Sequence, residues 1–193
     1  MKTRVIAQTM FALTLLAGVA SVSHAQSTTL SQADLFKTLK PGQWIQLEGV
    51  PQRDLSVIAT EVKFLTGDFQ EDDWEVFGAA KAINRGLQEF EILSLKIKTK
   101  AETDYQVKDK TRQFTKFEDL KTGLLVEVEG SFLKDGTFMA EEIQDKTISK
   151  AAEAGSITFV GKTEKVDPAR RAITLMGVTF LMNDQTHVRS AIK

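Results

Sequence analysis

The stretch LKPGQWIQLEG, Leu39 to Gly49, returns as LKTGLLVEVEG, Leu120 to Gly130, at an offset of 81 residues. Working outward at that offset, Phe36 falls on Phe117, Ala59 on Ala140 and Val62 on Ile143, with no gap. Repetition of this kind decides an architecture before any local propensity does. Within the phrase the apolar residues alternate: Ile45 and Leu47 share one face in the first copy, Val126 and Val128 in the second. A period of two, with β-branched residues, reads as a β-strand buried on one side. Trp44, Gln46 and Glu48 take the other face, as do Leu125, Glu127 and Glu129.

A second, fainter pair aligns Trp74–Tyr105 with Ile157–Val188 at offset 83, placing Gly78 on Gly161, Phe90 on Ile173, Ile97 on Phe180 and Thr103 on Thr186. The chain therefore reads as two kinds of half-module in alternation, b, a, b′, a′. In both a-type halves the apolar parity switches, at Ser94 and at Gly177. Such a switch marks a bulge or tight bend, which lets short strands curl into a barrel. Lys134–Thr137 carries the Asp-Gly of a tight hairpin. Its counterpart, Arg53-Asp54-Leu55, lacks the glycine and should turn more loosely. Helix is expected only over Ser31–Leu39, behind an N-cap serine, and over Ser149–Ala154, before Gly155.

The first 25 residues have another purpose. Lys2 and Arg4 precede the apolar run Val5–Val22, and Ser23-His24-Ala25 offers a cleavage site, so 1–25 reads as a signal peptide and the chain as periplasmic, with no stable membrane insertion after cleavage. The 193-residue chain has 25 basic and 26 acidic side chains and no cysteine. No basic footprint speaks for nucleic acid, and disulfide, thiolate and Cys-zinc chemistry are excluded.

These signals predict an all-β protein of duplicated small OB-like Greek-key barrels with one or two short helices. The phrase Phe117, Leu120, Gly123, Val126, Val128, Gly130, Asp135, Gly136, Ala140 and Ile143 resembles an exported bacterial domain of unknown function built of tandem OB-like repeats. The stretch Trp44–Gly49 is more weakly similar to small periplasmic bacterial OB-fold proteins. In the family the a-type half precedes the b-type half. The resemblance thus implies a central barrel over 74–145, with the N-terminal half-module 26–66 and the C-terminal half-module 157–193 left to complete a second barrel with each other or with another chain. It brings no catalytic residues, cofactor or ligand.

Chemistry is sparse in the residues themselves. Beyond His24, in the signal-like segment, His187 is the one histidine, so histidine-pair metal sites are excluded. No nucleophile elbow or phosphate-cradling glycine loop is present. The acidic run Asp68, Glu71, Asp72, Asp73 and Glu75 lacks EF-hand spacing and reads as a solvated turn. Glu48, Glu127 and Glu129 read as solubility and edge protection, and the basic Lys108, Lys110, Arg112 and Lys116 as a solvated loop. Trp74 is expected in the core. Trp44 and Gln46 are the candidate ligand-binding residues, because an exposed aromatic on an OB sheet can stack a ring, although Trp44 also suits a barrel junction. The expectation is a binding or scaffold module for an unknown envelope ligand or protein, not an enzyme and without a cofactor. The alternatives are an envelope hydrolase using His187 and a structural subunit assembling through exposed strands.

Overall fold

The computed structural model describes residues 27–70, 73–107 and 112–191; the signal-like segment, Glu71, Asp72, Lys108 and Lys110 lie outside them. The repeated phrase forms β2 (Trp44–Pro51) and β8 (Leu125–Phe132), each turning back into β3 (Val57–Phe64) and β9 (Phe138–Asp145). Ile45, Leu47, Val126 and Val128 are all fully buried. The hairpins match in register, and each has a bulge at the same place, between Glu48 and Gly49 and between Glu129 and Gly130. Glycine is required there, since a Cβ on Gly49 would collide with the carbonyl of Ile58, and one on Gly130 with the carbonyl of Met139.

The first a-type half supplies β4 (Trp74–Asn84), β5 (Glu89–Ile92), β6 (Leu95–Lys98) and β7 (Asp104–Val107). The second supplies β10 (Ile157–Lys162), β11 (Lys165–Asp167), β12 (Ala172–Leu175) and β13 (Val178–Ala191). The parity switches are two-residue hairpin turns, β5 to β6 through Leu93-Ser94 and β12 to β13 through Met176-Gly177. Leu93 and Met176 both take positive φ, 56° and 49°.

Strands β4, β5, β6, β9 and β8 pair in a closed circuit. This is barrel 1, a five-stranded Greek-key barrel. Barrel 2 pairs β2 with β10 and β3 with β13, in the registers found between β8 and β4 and between β9 and β6–β7. The break between β10 and β11 is bridged by the Glu164 amide, which donates to the Thr174 carbonyl at 2.9 Å and carries the wall across to β12. A strand β1 (Ser27–Thr29) lies along the end of β13.

The two barrels also pair with each other, β4 against β10, with Val76 opposite Phe159. These two residues are equivalents at offset 83, so a pseudo-two-fold axis passes between them. Buried residues of both barrels form one cluster. A Cβ on Gly161 would strike Trp74, and one on Gly78 would strike Ile92 and crowd Ile157, so each barrel's first strand packs a side chain into its neighbour. The chain is all-β by strand content.

Its one α-helix among the described residues is α1 (Gln32–Thr38), where the Ser31 hydroxyl accepts from the Asp34 amide at 3.1 Å. The segment expected to be helical at Ser149–Ala154 is shortened to a 3-10 turn, Ala151–Glu153. No described helix is long and apolar enough to cross a membrane. The Arg53–Leu55 turn is not looser than its copy. Leu55 adopts φ 67° where Gly136 adopts φ 83°, and closing backbone bonds of 2.8 Å (Gln52 to Ser56) and 2.9 Å (Leu133 to Thr137) match. The Asp54 carboxylate, accepting from the Ser56 amide and hydroxyl at 3.1 and 2.6 Å, holds the turn despite the missing glycine.

Candidate functional site

Because the barrels pair edge to edge, their outer walls form one continuous face, and the registers place its residues in rows. One row runs Arg189, Lys63, Gln46, Val160, Glu75, Glu129, Glu142, Asp104, each directly opposite the next on the neighbouring strand. Directly opposed side chains point to the same side of a sheet, within reach of each other. The row therefore begins basic on barrel 2 and ends in four successive carboxylates on barrel 1.

Asp68 and Asp73, from between β3 and β4, add two carboxylates to this face. These two, with Phe69, Glu75, Glu129 and Val160, line a cleft of about 290 Å³. Burial, and then the charges of Glu127 and Glu129, raise the Glu75 carboxyl to about 7. Desolvation and the neighbouring Glu142 and Glu127 raise Glu129 as well. No ion pair neutralises Glu75 or Glu129 among the described residues. Glu127 is served differently, by Lys146 at 2.5 Å and Lys150 at 3.4 Å. Those lysines come from the second connection, whose 146–156 segment is the counterpart of 65–73. Lys150 also sits 4.4 Å from the centre of the Phe77 ring. The two connections thus treat the face oppositely: one brings cations to a glutamate, the other brings more carboxylates.

Trp44 is half-buried at the seam. Its ring stacks on Phe69 with centroids 5.1 Å apart, lies 5.3 Å from Trp74 and has the Lys162 ammonium at 5.8 Å. Gln46 stands in the row, its amide donating to Glu48 at 2.7 Å. Trp74 is in the core, 8% exposed. His187 is exposed on β13 and opposite Glu61, which is paired with Arg189 at 2.9 Å. Three strands, β3, β2 and β10, lie between β13 and β4, where Glu75 opens the cleft. Arg112 is tied to the buried Asp145 at 2.7 Å.

The sequence does not single out Glu142 or Phe69, and it groups Asp68, Asp73 and Glu75 in one solvated turn while placing Glu129 apart from them, as edge protection. The hairpin turn at Lys134–Thr137 was the available signal for Glu142, since it places β9 beside β8. The neighbour relation of Glu75 and Glu129 had none, because it joins segments 54 residues apart. Among the described residues no three carboxylates or histidines are grouped to hold one metal ion. The carboxylates form an extended row instead, a geometry suited to several separated positive charges.

A family described as a domain of unknown function (DUF5666) matches residues 12–63 and 78–144. The chain belongs to this family. The matched spans end at equivalent points of the repeat, Lys63 in β3 and Gln144 in β9, so the family's unit has been laid down twice. Neither a curated protein nor a solved structure matches the chain.

Proposed function

We propose that this member of the family is an exported, non-catalytic binding or scaffold module of OB-like barrels, and that it presents its carboxylate row to a cationic partner in the bacterial envelope. The row Asp104, Glu142, Glu129, Glu75 carries this reading. Like charges held side by side repel, and the Glu75 carboxyl is raised to about 7 by its burial first and by the charges of Glu127 and Glu129 after it. A polyamine or basic peptide lying along the row relieves it, most strongly at low ionic strength. The signal-like N-terminal segment supports export.

Titration of the 15N-labelled protein with spermidine at low salt tests the ligand class. Amide shifts are expected at residues 73–75, 104, 129 and 142, and are lost in a Glu129→Gln/Glu142→Gln variant. An unperturbed row at millimolar spermidine refutes the assignment. Export is tested separately, by fractionating expressing cells and weighing the product: a periplasmic chain beginning at Gln26 is expected, and a cytoplasmic chain retaining Met1 contradicts it.

A further inference from the structure

Barrel 2 carries an apolar strip on the outside of its wall, and barrel 1 shows that the fold does not demand it. Val50 on β2, Ile58 on β3 and Leu181 on β13 are direct neighbours across strands, and Leu55 stands at the tip of the turn joining β2 to β3. Val50 is 44% exposed and Leu55 53%, while Ile58 and Leu181 are half-buried. The equivalent positions in barrel 1 hold Ser131, Gly136, Met139 and Lys98, and Lys98 there reaches Glu89 at 3.8 Å. Bulge, register and turn are the same in both barrels, so the backbone's needs are the same and only the surface chemistry differs. Single exposed apolar residues are ordinary; a contiguous strip that an internal copy dispenses with is not.

Beside the strip lies a cleft of about 360 Å³ whose lining includes Asp54, Leu55, Arg170, Val178, Thr179 and Leu181. Asp54 and Arg170 are exposed, of opposite sign, and joined by no ion pair. A surface with both signs on its rim and apolar groups between them complements itself under a two-fold rotation, whereas a partner of one sign meets repulsion on one side. We propose that two copies of this chain associate through the strip, apolar side chain on apolar side chain, with Asp54 of each copy against Arg170 of the other. This goes beyond the binding of cations, because it uses a different face and leaves the carboxylate row free. The strip is small beside the roughly 1,200 Å² total that stable interfaces bury, so the association is weak, with a dissociation constant between about 10 µM and about 1 mM.

Sedimentation of the full chain over about 10 µM to about 1 mM provides the test. The average mass is expected to rise toward that of a dimer. The triple variant Val50→Ser/Leu55→Gly/Leu181→Lys, which gives barrel 2 the side chains barrel 1 already folds with, should remain monomeric throughout, its fold verified by circular dichroism. Arg170→Glu leaves the strip intact and should weaken association at least tenfold. A wild-type monomer at 1 mM, a triple variant that still dimerises, or an Arg170→Glu chain that associates as before overturns the proposal.

Discussion

Leu55 and Glu75 show what single residues bear in this fold. Leu55 occupies a left-handed conformation, φ 67°, that its copy fills with glycine. A side chain there costs about 1–2 kcal/mol, and glycine's greater freedom in the unfolded chain offsets part of the gain from removing it. Leu55→Gly should therefore stabilise the protein by about 0.5–1 kcal/mol, read as a shift in urea midpoint at unchanged slope. Glu75 titrates near 7 when folded and at its ordinary 4.5 when unfolded. Between those values the folded state binds more protons, so stability is greatest below about 4.5 and declines as pH rises through 7. Replacing Glu75 by Gln should leave stability at pH 4 nearly unchanged and raise it by about 1–3 kcal/mol at pH 8. Equal effects at the two pH values would show that the carboxyl is not perturbed. Neither residue could be weighed from sequence alone. The Leu55 turn lacks the glycine that signals its geometry, and Glu75 looks solvated until β8 is placed beside it.

At the scale of elements, the duplication reaches individual hydrogen bonds. The Thr103 hydroxyl donates to the Ala140 carbonyl at 2.8 Å and accepts from the Lys100 amide at 2.9 Å. The Thr186 hydroxyl does the same with Ala59 and Asn183 at 2.7 and 3.0 Å. Each threonine fastens a returning strand to the bulged strand of the other half-module. Both are buried, 6% exposed, so Thr103→Val and Thr186→Val strand one carbonyl and one amide each and should cost about 1–3 kcal/mol apiece. Matching losses in chemical denaturation are expected; a loss at one site alone would mean that the barrels are not equivalent in stability. This equivalence was legible in the sequence, because Thr103 and Thr186 align at offset 83. The role of the pair was not legible, since their acceptors lie 37 and 127 residues away.

The whole molecule is held by the seam between β4 and β10 and by a core continuous across it. Trp74 packs against Gly161 and Ile157 against Gly78, so neither barrel can open without exposing part of the other. Thermal unfolding should then be one cooperative transition with equal calorimetric and van't Hoff enthalpies, and the β4 and β10 amides should exchange among the slowest. Two resolved transitions would show that the barrels are separate folding units. The alternation of apolar residues, the paired glycines and the constant offsets determined by themselves that the protein is all-β and twofold repeated, because face and turn are properties of neighbouring residues. Which half-modules pair, which walls become one face and which carboxylates stand in a row were decided only in three dimensions. Those relations join segments far apart in the chain, and the free energy that selects them, burial of a shared core, belongs to the assembled barrels and to no local stretch.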